Sequence, residues 1–130
     1  MTHKVHTQDL IALLPPGIDR ALLGILAFHQ GREAAISRGA LVHMCASMGF
    51  SVHERAMRAA INQLRKQGHM ICSTGGEGGG YYMATNWLEL TDYLESEVRP
   101  RALDLLEQEK ALQQAAEKTW GQYAKQESLF

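Results

Sequence analysis

Residues 51–85 read SVHERAMRAAINQLRKQGHMICSTGGEGGGYYMAT, and the change of period inside this stretch decides the fold. Ser51-Val52-His53-Glu54 has the form of a capping box, in which the serine oxygen accepts an amide and Glu54 reaches back to the Ser51 amide. A helix is expected over 52–67, stopped by Gly68. At ~100° per residue, Met57, Ile61 and Leu64 fall on one side, toward a core. Arg55, Arg58, Asn62, Arg65 and Lys66 spread over the other, with Ala59 among them. Past Gly68 the helical period is lost. Segments 69–74 and 81–85 read as strands. Gly75, Gly76, Glu77, Gly78, Gly79 and Gly80 between them cannot hold a helix and predict a mobile hairpin tip.

Two further helices are expected upstream. Ile18, Leu22, Ile25, Leu26 and His29 recur at helical spacing and predict a first helix closed near Gly31. A short connection over 33–36, itself a candidate strand, leads to Ser37. That serine caps a second helix over 38–48 with Leu41, Val42, Met44 and Cys45 as its buried side, and Gly49 ends it. Before all of these, Thr7 can cap a short helix over 7–14, which Pro15-Pro16-Gly17 terminates.

Downstream, Asn86 with Glu89 repeats the cap signal for a fourth helix over 86–98. Its stripe of Trp87, Leu88, Leu90, Tyr93 and Leu94 is expected to pack on the first helix. Pro100 kinks or restarts the chain, and a polar helix follows to about residue 125. Leu103, Leu106, Ala111 or Leu112, and Ala115 or Ala116 give it only a thin apolar stripe. Trp120 and Tyr123 add to that face. Thin stripes gain stability mainly by packing on a partner, so a homodimer through the C-terminal helices is a candidate arrangement.

Composition bounds the function. At 130 residues with 45% hydrophobic and 21% charged side chains, the chain suits one globular domain plus an extension. No apolar run nears the roughly 20 residues of a membrane span, and the first residues, MTHKVHTQDL, lack the apolar core of a signal peptide. Two cysteines cannot build a disulfide framework, so a cytoplasmic setting is expected. Residues 1–85 hold eight Lys/Arg against five Asp/Glu, while 86–130 hold five against nine. The front half, which also carries all six histidines, is the one suited to a polyanion.

Three helices, a short strand after the first, and a glycine-tipped hairpin form the order of a winged helix-turn-helix domain. From Ile18 to Thr85 the chain resembles that family, with GREAAISRGALVHMCASMGFSVHERAMRAAINQLRKQGHMICSTGGEGGGYYMAT as helix-turn-helix and wing. The hairpin leading into a long C-terminal helix is also similar to small phage or mobile-element regulatory and replication proteins. The expected fold class is mainly α with a small β-hairpin wing, followed by a long C-terminal helix or helices. The expected parts are an arm (1–16), the winged domain (17–85), a helical extension (86–125) and a tail (126–130).

That resemblance implies that Ser51, His53, Arg55, Arg58, Asn62, Arg65 and Lys66 contact double-stranded DNA. The chemistry agrees: arginine forks onto guanine, asparagine pairs with adenine, and lysine suits phosphate. The competing reading is a solvated helix face on a protein–protein adaptor that never touches DNA. Glu77 stands where wings often carry a cation. No Gly-Lys-Ser/Thr follows the glycines, and they precede a strand rather than a helix, which argues against a phosphate-binding loop.

His43 with Cys45 and His69 with Cys72 have the atoms of a zinc site without the spacing of one. Neither pair has an orienting acid at a recognisable distance, so no metal, cofactor or enzymatic activity is expected. The chain closes on Gln126-Glu127-Ser128-Leu129-Phe130. This resembles the pentapeptide with which bacterial replication and repair proteins dock on the sliding clamp. Gln126, Ser128, Leu129 and Phe130 match its positions, and Glu127 replaces a common leucine. The same Leu-Phe pair could instead fold back on the chain's own apolar surface. The leading expectation is a replication-associated DNA-binding protein; the alternative is a dimeric transcriptional regulator using the same helix on a palindromic site.

Overall fold

The computed structural model describes residues 17–75 and 79–121. The 7–14 helix, Gly76, Glu77 and Gly78 of the hairpin, Tyr123, and the whole 126–130 tail lie outside the described residues. The chain divides into two compact units, Met1–Tyr93 and Leu94–Phe130. It is mainly helical with one small antiparallel sheet.

In the first unit, α1 (Ile18–Leu26) buries Ala21, Leu22, Leu23, Ile25 and Leu26. It ends earlier than its apolar period suggests, because the chain turns at Ala27 and runs beside the sheet. Gln30 bridges Met83, and the Gly31 amide donates to the Met83 carbonyl at 2.8 Å. After a 3-10 turn (Arg32–Ala34), β1 (Ile36–Ser37) leads into α2 (Arg38–Ser47). The Ser37 hydroxyl accepts from the Ala40 amide at 3.2 Å, forming the expected cap. On α2, Leu41 and Cys45 are fully buried and Val42 is half-buried; Met44 is exposed, contrary to its expected place in the core.

α3 (Glu54–Lys66) seals Met57, Ile61 and Leu64 inside. It starts two residues later than expected, and the Ser51 capping box does not form. His53 occupies the cap position without a side-chain hydrogen bond, and the Glu54 carboxylate is held by two arginines instead. Both α2 and α3 end in the same way. Gly49 and Gly68 adopt φ of 94° and 98°, and the amide of the next residue bonds back to Cys45 or Leu64. That left-handed turn closes the last carbonyls and suits glycine.

The strands β2 (Ile71–Ser73) and β3 (Gly80–Met83) form the hairpin, and β1 completes the sheet in the order β1-β3-β2. Ile36 pairs Tyr81, and Cys72 pairs Tyr82. Two hairpin glycines expected at the tip are elsewhere: Gly79 and Gly80 are buried, and Gly80 pairs Ser37. A Cβ at Gly80 would overlap the Ile36 carbonyl, so this glycine permits the close approach of β1 to β3.

α4 (Trp87–Tyr93) carries the Asn86 cap, whose oxygen accepts from the Glu89 amide at 2.8 Å. The apolar stripe expected to lie on α1 instead divides. Leu90 and Tyr93 join a second small core with Cys72, Tyr82, Ala35 and Ala84, whereas Trp87 and Leu88 are exposed. The reason is the Glu89 carboxylate, which accepts from the amides of Thr85 (2.9 Å) and Arg32 (3.1 Å) and so fixes which way the short helix turns.

In the second unit, a π-helical turn (Leu94–Val98) precedes α5 (Arg99–Trp120). Pro100 sits in the first turn of α5, a position that tolerates a missing N–H. The expected fourth helix to residue 98 is therefore shorter, with the last five residues in the wider turn. Among the described residues, no helix is long and apolar enough to cross a membrane.

Candidate nucleic-acid interface

The core anchors α3 by one side, and this sets what its other side can do. With Met57, Ile61 and Leu64 inaccessible, Arg55, Arg58, Ala59, Asn62, Gln63 and Lys66 stand outward. Arg55, Asn62 and Lys66 recur at spacings of seven and four, close to whole helical turns, so they share one stripe. Ala59 on the same side keeps the surface low. Ser51 and His53 are exposed in the segment leading into the helix.

Arg65 is the exception among the expected contacts. It lies only about 40° round the helix from buried Ile61. Its Nε donates to the Ile71 carbonyl at 2.7 Å, and Nη1 reaches Asn62 Oδ1 at 3.4 Å. The guanidinium also stands over the rings of Tyr81 and Tyr93, at 5.9 and 5.5 Å from their centroids. The structure thus places Arg65 inward, pinning α3 to the sheet and α4.

The cationic surface gains a residue that sequence reading missed. Arg38, the first residue of α2, reaches the first turn of α3, where its Nε lies 3.1 Å from Glu54 Oε1. Arg58 Nη2 approaches the same oxygen at 3.5 Å. Nothing in the local pattern marks Arg38, because its partner lies on another helix. No protein-family model matches the chain, and no curated protein or solved structure matches it either. The chemical case therefore rests on the surface itself: four cations, two of them paired to one carboxylate, with an amide among them.

The hairpin stands at the edge of β1. Thr74 closes its base, its hydroxyl accepting from the Gly80 amide and its own amide donating to the Gly80 carbonyl, both at 2.8 Å. Gly75 is exposed. The Arg38 amide donates to the Gly79 carbonyl at 3.3 Å, tying the hairpin to the start of α2.

The two cysteines lie inside the protein. Both are fully buried, and burial pushes the Cys72 thiol up to about 11 and raises that of Cys45. Cys72 pairs with Tyr82 across the sheet, and the same burial takes that phenol up to about 12. His69 is buried with its Nδ1 unpartnered, while His43 is exposed on α2. No group of three or more His, Cys, Asp or Glu gathers in metal-holding geometry among the described residues.

Proposed function

We propose that the first unit is a winged helix-turn-helix module that binds double-stranded DNA by laying the outer face of α3 in the major groove. The observation that carries this reading is the division of α3: its apolar side is sealed in the core, leaving Arg55, Arg58, Asn62 and Lys66 as one exposed surface. A major groove about 12 Å wide admits such a helix. The order of elements supports it too, with a strand between the first two helices pairing beside a C-terminal hairpin. Ser51 and His53 would meet the backbone at the helix entrance. Arg65 supports the surface without touching DNA.

In this reading the protein is non-enzymatic, cytoplasmic and of phage or mobile-element type. Gln126, Ser128, Leu129 and Phe130 dock it on a bacterial sliding clamp during replication. A weak tail suffices, because a DNA-bound head concentrates it near a DNA-loaded clamp.

The test is binding of a labelled duplex across a salt series. Each phosphate contact should contribute a slope of about −0.9 in log K against log salt. Joint replacement of Arg55, Arg58 and Lys66 by alanine should remove binding and leave the melting curve unchanged. Unchanged affinity in that variant overturns the assignment. Deleting Leu129 and Phe130 should abolish clamp capture alone.

One observation favours a second reading, the dimeric transcriptional regulator. α5 buries no residue and leaves Leu103, Leu105, Leu106, Leu112 and Trp120 more than half exposed. If removal of Leu129 and Phe130 dissociates a dimer in sedimentation, the regulator replaces the replication protein.

A further inference from the structure

Glu54 is the one acidic residue of α3, standing at its first position, and it pairs with two of the cations. Its Oε1 alone receives both arginines, Arg38 from α2 and Arg58 from the next turn of α3. The backbone of Arg38 is held by the Ser37 cap beside it and by the hydrogen bond its amide donates to the Gly79 carbonyl, which places the root of its side chain at the first turn of α3. The Arg58 and Glu54 side chains are 59% and 51% exposed, which keeps these pairs weak and exchangeable. A carboxylate in a first helical turn also complements the helix dipole, so Glu54 has a stable place there without any ligand.

We infer that Glu54 is a selectivity element of the α3 surface: it occupies Arg38 and Arg58 in the free protein and releases them only to nucleic-acid groups placed well enough to displace it. This rests on the DNA-binding reading and adds to it a restraint on indiscriminate phosphate binding. An unopposed cluster of Arg38, Arg55, Arg58 and Lys66 would hold any duplex. One carboxylate at the start of the helix repels phosphate there and pairs with two of those four cations. Discrimination gained through such a repulsive group is a general device of specific binding surfaces.

The experiment compares the full chain with Glu54→Gln, Arg38→Gln and the double variant on a duplex of random sequence, from about 50 to 300 mM salt. Glu54→Gln should bind on the order of tenfold more tightly at low salt, with a slope steeper by roughly one to two contacts. Arg38→Gln should change little alone but cost several-fold in the Glu54→Gln background. A structural role for the pair would move the melting curve without that non-additivity. Glu54→Ala repeats the measurement should the glutamine variant fail to fold. Equal affinity and slope in wild type and Glu54 variants overturn the inference while leaving DNA binding intact. Absence of salt-dependent binding in every protein overturns the DNA reading, and this inference with it.

Discussion

The Arg65 side chain donates its Nε hydrogen to the Ile71 carbonyl at 2.7 Å, joining the last turn of α3 to the first residue of β2. A cation on a helix otherwise decorated with solvated cations has become a structural strut. Its planar head also covers Tyr81 and Tyr93, so one residue ties α3, the sheet and α4 together.

Arg65→Ala should therefore destabilise the protein by about 2 kcal/mol, the loss of a charge-assisted bond and its ring contacts. Arg65→Lys should recover little, since an ammonium cannot reproduce the fork. Urea denaturation checks this, with Arg55→Ala as the control whose midpoint stays put. Equal midpoints for the two alanine variants would return Arg65 to the outer surface.

Gly80→Ala should cost about 3 kcal/mol or more, because the new methyl meets backbone atoms of Ile36 and Ser37 that cannot move aside without opening the sheet. Gly24→Ala, in the middle of α1 with open space around it, should instead stabilise by roughly 0.5–1 kcal/mol. Thermal melts of the two variants should shift in opposite directions.

Stability should also fall on mild acidification. Burial lowers the pKa of His69 in the folded state, an effect that the nearby Asp19 charge only partly opposes. The unfolded chain then binds the proton more readily, so stability is complete above the ordinary histidine value near 6.5 and is lost as pH drops through the lower folded value. Melting temperatures followed from pH 7.5 down to 5 should decline in wild type and flatten in His69→Gln over that window.

Cys45 and Cys72 should resist alkylation in the native protein. Both are fully buried, and their thiols are shifted away from the reactive thiolate. Iodoacetamide at pH 8 should modify neither until denaturant is added, and mass spectrometry counts the adducts. Rapid native labelling of Cys72 would show that the small core with Tyr82 and Tyr93 opens readily.

Much of the architecture is local enough to be written in the order of residues. Apolar spacing at Met57, Ile61 and Leu64 specified the inner side of α3, since a 3.6-residue period leaves one face for a core. Ser37 and Asn86 marked helix starts, and Gly49 and Gly68 marked helix ends, because caps involve atoms only a few residues apart. What needed the folded chain is what depends on neighbours from distant segments. Periodicity could not tell that Arg65 would find Ile71 and two tyrosine rings, that Glu54 would abandon a cap for Arg38, or that Gly80 would be pressed against Ile36. A side chain at the border of a helix face goes inward or outward according to the groups the next element offers, and only tertiary packing supplies them.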